Sequence, residues 1–146
     1  MKLLGIALLF VLCVAAGFGK AARIEARERA LRSVYRDIEA LLLQIRTRRL
    51  PLDRAAELLP DGIVKRRVTG EKPQKGDPLT ETETERLDRF LSLLQRAAAD
   101  EIAAAGEGYR SELALAIEEA QRQTQNTRLF RSVGALSGAV LAVLLW

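Results

Sequence analysis

The stretch IEARERALRSVYRDIEALLLQI, residues 24–45, decides the fold class. Its apolar positions Ile24, Leu31, Val34, Ile38, Leu41 and Ile45 recur at helical spacings, and Tyr35 and Leu42 widen the stripe beside charges on the other face. Apolar residues three and four apart share one face of an α-helix, so this segment predicts an amphipathic helix from residue 20 to residue 49. Such a stripe needs other helices to cover it.

Working towards the N-terminus, no breaker separates this helix from an uncharged run at residues 3–19, LLGIALLFVLCVAAGFG. As helix the run measures roughly 25 Å, close to the thickness of a bilayer's hydrocarbon core. Two readings are open. Gly17 and Gly19 are small residues at the spacing a signal peptidase favours, and Lys2 supplies a positive start. The direct passage into a helical pattern, with no polar segment before the cut, favours a retained span.

Working towards the C-terminus, residues 132–146 are again uncharged, and with Leu129, Phe130 and a snorkelling Arg131 they reach roughly 27 Å. Trp146 suits the far interface. Every Asp and Glu, and every Lys and Arg except Lys2, lies between the two runs. Lys20, Arg23, Arg27, Arg29 and Arg32 follow the first run, and Arg122, Arg128 and Arg131 precede the second, so the positive-inside rule puts the middle in the cytoplasm. The fold expected is all-α: a membrane-anchored helical bundle with N- and C-terminal transmembrane helices at 1–19 and 132–146 and a cytosolic helical domain at 20–131. Gly134 and Gly138 form a G-x-x-x-G with Ser137 beside them, small residues that would let a second membrane helix approach closely.

Within the middle region, Pro51 interrupts the first helix and suits the start of another, so residues 52–59 form a short segment that Pro60 ends. Residues 61–78, DGIVKRRVTGEKPQKGDP, show no sustained period and read as a mobile loop. Lys65, Arg66 and Arg67, with Lys72 and Lys75, are either a solvated cluster or a contact for anionic lipid or an acidic partner. Thr80 with Glu83, or Thr82 with Glu85, makes a capping box. The helix that follows buries Leu87, Phe90, Leu91, Leu94, Ala97 and Ala98 and continues weakly to Ile102. Gly106 and Gly108 are expected to break or bend the chain before a last stripe of Tyr109, Leu113, Ala116, Ile117 and Ala120. These two helices should pair as an antiparallel hairpin. The short segment and the loop then have to carry the chain back along the first helix.

Composition narrows the chemistry. There is no His among 146 residues, which removes the commonest base near neutral pH and the usual zinc and haem ligands. Cys13 is the single cysteine and lies in the first apolar run, where it reads as a packing residue; Leu12 before it is too large for a lipid-attachment site. Gly106-Glu107-Gly108 lacks the length and the Lys of a phosphate loop. Glu118 and Glu119 sit on a solvated helical face. A net charge of +4 with few aromatics argues against nucleic-acid binding. The residues alone therefore predict a non-enzymatic scaffold with no cofactor, whose stripes are covered by each other, by a second copy in a homo-oligomer, or by a partner.

The phrase RRLPLDRAAELL, the run YRDIEALLLQI and the tail RLFRSVGALSGAVLAVLLW resemble the stage III sporulation protein AB family, which is related to the F-type platform domain of type II secretion. The resemblance covers the chain through about residue 59 and from about residue 79 onward. It implies a membrane component of the channel apparatus between mother cell and forespore, required for forespore development. It places the chain in the mother-cell membrane facing the forespore, beside a secretion-type ATPase, stage III sporulation protein AA, and other channel proteins. It marks Leu50, Pro51, Leu52, Ala55 and Ala56, with the terminal Ser132, Gly134, Ser137 and Gly138, as assembly positions. Family members are longer where this chain has residues 61–78. The rival expectation is an exported or single-span helical interaction protein with a cleaved N-terminal signal, unrelated to sporulation.

Overall fold

A computed structural model describes residues 2–74 and 76–144, with the side chains of 19–74, 76–98 and 101–128. The described chain is all-α: α1 (Lys2–Arg48), α2 (Leu52–Glu57), α3 (Ile63–Val68), α4 (Glu81–Arg96) and α5 (Ala99–Leu144). The backbone divides into two units, Met1–Glu28 with Glu119–Trp146 and, separately, Arg29–Glu118.

In the first unit α1 and α5 lie against each other. Small buried residues, Ala21, Ala120 and Thr124, let two helices approach closely, and Arg27 Nη1 donates to Gln123 Oε1 at 3.2 Å. The buried Thr124 hydroxyl is satisfied within its own helix, donating to the Ala120 carbonyl at 3.0 Å. No helix among the described residues is long and apolar enough to cross a membrane. The expected spans, together with Gly134, Ser137 and Gly138, lie outside the residues whose side chains are described, Gly19 excepted.

In the second unit the amphipathic stripes meet. Leu31, Val34, Ile38 and Leu41 of α1 are almost wholly buried, with Leu87, Phe90, Leu91 and Leu94 of α4 and Ile102, Tyr109 and Leu113 of α5. The ring of Phe90 stacks on that of Tyr109 with centroids 4.3 Å apart, and Arg86 faces Glu112 at 3.9 Å. The pairing of earlier α4 residues with later α5 residues makes an antiparallel hairpin. A void lined in part by Leu31, Glu83, Tyr109 and Ala116 marks where the three long helices meet, so α4 begins beside the earlier part of α1 and the chain has been carried back along it. Thr80 caps α4 as expected: its hydroxyl accepts from the Glu83 amide at 3.3 Å and the Glu83 carboxylate accepts from the Thr80 amide at 2.8 Å.

Three expectations need correction. Residues 61–78 contain a helix, α3, because Val64 is fully buried and α3 packs on α2. It ends in a Schellman turn at Gly70, φ +83°, with the Glu71 and Gly70 amides donating to the Arg66 and Arg67 carbonyls. The hairpin turns at Ala97 and Ala98 rather than at the glycines: Ala97 is extended, Ala98 is exposed, and α5 starts at Ala99. Gly106 and Gly108 lie inside α5 without breaking it: Gly106 packs against Leu42 of α1, and a lone glycine such as the exposed Gly108 costs a helix only about 1 kcal/mol. The segment after Pro51 is also shorter than expected, closing at Glu57 with Pro51 as its N-cap.

Candidate functional site

A groove of about 610 Å³ runs between α1 and α5 in the second unit. Leu42 and Leu43 form its α1 wall with Arg46, and Ala103, Glu107 and Arg110 form the α5 wall. The two leucines differ. Leu42 is buried against Gly106, whereas Leu43 is 62% exposed. Ile45 and Tyr35 are half-buried, so the stripe read from the sequence fades towards this end of α1.

Arg110 organises the charges here. Its Nη2 donates to the Tyr35 hydroxyl at 3.1 Å and to Glu39 Oε1 at 3.1 Å, and its guanidinium carbon lies 5.5 Å from the centre of the Tyr35 ring. The Tyr35 hydrogen bond, helped by Glu39 and Glu107, pushes the Arg110 pKa further up, so the guanidinium keeps its charge throughout. Its Nε is buried and has no hydrogen-bond partner among the described residues. Arg46 makes no ion pair with any described residue.

Three residues of the basic cluster, Lys65, Arg66 and Arg67, pair within the chain. Lys65 Nζ donates to Asp61 Oδ1 at 2.9 Å, and Arg66 lies 3.6 Å from Asp77. The hydrogen bond from Lys65 holds the Asp61 carboxyl below its ordinary range. Arg67 makes a bidentate pair with Asp88, Nε to Oδ1 at 2.8 Å and Nη2 to Oδ2, and its side chain is only 11% exposed. Arg66 and Arg67 thereby tie α3 to the following segment and to α4. Leu52, Ala55 and Ala56 are buried in the second unit, Leu50 is half-buried and Pro51 is exposed. Of the positions that the family resemblance marks, Leu52, Ala55 and Ala56 pack within the chain, while Ser132, Gly134, Ser137 and Gly138 lie outside the residues whose side chains are described.

Two further groups are perturbed. Burial raises the pKa of Asp37, opposed by the neighbouring Arg36, and a Cβ at Gly62 would stand 3.0 Å from its Oδ2. Burial, then Glu112 and Glu83, pushes the Tyr109 phenol up. Among the described residues no cluster of three His, Cys, Asp or Glu could hold a metal ion. The Arg110 hub and the groove were invisible to sequence reading, because residues 35, 39 and 110 share no periodicity; the one available signal was a Tyr and a Glu flanking the apolar stripe at helical spacing.

No family model, curated protein or solved structure matches this chain.

Proposed function

We propose that this chain is a non-enzymatic, membrane-anchored helical scaffold that works by protein association in a sporulation channel apparatus. The observation that carries the anchoring is the pairing of α1 and α5 at Arg27 and Gln123. Each helix continues from that contact into its own uncharged run, 3–19 in one and 132–146 in the other, and antiparallel helices direct both runs to the same end. Two apolar helical runs leaving the same end of the α1/α5 pair suit entry into one bilayer, with the basic residues around Lys20 and Arg128 at its cytoplasmic face.

The non-enzymatic reading draws on the sequence, which has no His to serve as a base near neutral pH, and on a groove where Glu39, Glu107, Arg46 and Arg110 stand over leucine and alanine walls. The assignment to the sporulation apparatus, with the AA-type ATPase as neighbour, draws on the sequence phrases that resemble the stage III AB family.

Extraction of native membranes at alkaline pH tests the anchoring. The chain should stay in the pellet, and in sealed inverted vesicles added protease should digest its polar middle; release into the wash would overturn the reading. Intact-mass measurement separates it from an exported protein, because cleavage near Gly19 would leave a single apolar run. Deletion in the source organism should arrest spores after engulfment and leave vegetative growth normal if the sporulation assignment holds.

A further inference from the structure

We propose that the α1/α5 groove is a docking surface for a second copy of this chain, with the two-fold axis running along the helices. Leu43 is the reason to look for an occupant. It is 62% exposed on a wall whose neighbour Leu42 is buried, and Arg46 beside it has no ion pair among the described residues. Glu39 and Arg110 pair within the chain, which leaves Arg46 on the α1 wall and Glu107 on the α5 wall, one charge of each sign, to meet their opposites when the surface faces a second copy of itself.

The contacts within one chain set the register. Leu42 lies beside Gly106, and Glu39 beside Arg110, so Leu43 stands level with the turn of α5 that carries Ala103 and Glu107. An axis parallel to the helices preserves those heights. Leu43 of one copy then meets Ala103 of the other within about 3 Å along the axis, and an extended Arg46 reaches the Glu107 carboxylate of the other copy. Antiparallel helices alternate around such a core, as in a four-helix bundle. The surface is argued from the Arg29–Glu118 unit alone; only the direction of the axis, which keeps both copies pointing one way, rests on the membrane reading above.

The test uses the full chain purified in detergent micelles, in a Cys13→Ser background, with sedimentation equilibrium to read the dimer and circular dichroism to check that each variant keeps its helix. Leu43→Glu and Arg46→Glu should each weaken dimerisation about tenfold or more. Arg46→Glu combined with Glu107→Arg should recover most of the loss, and a copy carrying Leu43→Cys should form a disulfide with a differently tagged copy carrying Ala103→Cys. A chain that stays monomeric, a dimer indifferent to Arg46→Glu, or a charge swap without recovery overturns the proposal. Alkaline extraction is a separate measurement, so loss of the anchoring and loss of this interface are told apart.

Discussion

Gly106 of α5 lies directly against Leu42 of α1: a Cβ built on the glycine would stand 2.8 Å from Leu42 Cδ1 and 3.0 Å from Cδ2. Both residues are buried, and the Leu42 Cγ stands only 3.5 Å from the same position, so relief needs the whole side chain to move and not one methyl. A hydrogen in place of a side chain lets the two helices approach and leaves the groove beside them open along Leu43.

Gly106→Ala therefore sets a gain of about 1 kcal/mol in helix propensity against overpacking of about 1–3 kcal/mol. Net destabilisation is expected. Gly108, with nothing within 4 Å of its Cβ position and an exposed place in the same helix, supplies the internal control. Gly108→Ala should stabilise by about 1 kcal/mol. Denaturant titration of both variants checks the pair, and equal shifts of one sign would refute the packing account.

The Arg67 pair with Asp88 holds α3 to α4 through two hydrogen bonds, with Arg67 largely shielded from water and Asp88 46% exposed. Arg67→Ala should cost about 1–3 kcal/mol, and Asp88→Asn less, since the amide still accepts one bond. Hydrogen exchange gives the sharper reading: amides of Ile63–Val68 should lose protection in Arg67→Ala while those of α5 keep theirs.

Asp37 supplies a pH dependence. Its folded pKa is raised above the unfolded value of 3.8 by burial, so the folded carboxyl holds its proton more tightly than the unfolded one. The stabilisation this gives is complete below 3.8 and is lost as pH rises through the raised folded value. Asp37→Asn should flatten that part of the stability profile and raise stability at neutral pH. A variant whose profile keeps the wild-type slope would remove Asp37 as its source.

Arg49 follows the last residue of α1 with φ +51°, a left-handed conformation that costs an L-residue about 1–2 kcal/mol and glycine nothing comparable. Arg49→Gly should therefore stabilise by about 1 kcal/mol, less whatever the freer unfolded chain takes back. Thermal melting reads it directly.

Much of the fold was legible where one residue's local chemistry suffices. The stripe through Leu31, Val34, Ile38 and Leu41 is buried as its spacing implied, and Thr80 and Glu83 cap α4 as their separation implied. The misreadings fall where local preference and packing disagree. Gly106 looks like a breaker in isolation and is a contact point in the bundle, while Ala97 and Ala98 look like helix and form the turn. Lys65 meets Asp61 at helical spacing, but the partners of Arg66 and Arg67, Asp77 and Asp88, are brought to them by the fold rather than by adjacency.

What this sequence determines by itself is helical class and amphipathic pattern, since backbone hydrogen bonding within a helix and the three-to-four spacing of apolar side chains are both local. Tertiary structure alone decided which arginine meets which carboxylate, where Leu43 is left uncovered, and that the bundle closes over Gly106. Those outcomes depend on pairs separated by tens of residues, such as Tyr35 and Arg110, whose meeting is set by how whole helices pack.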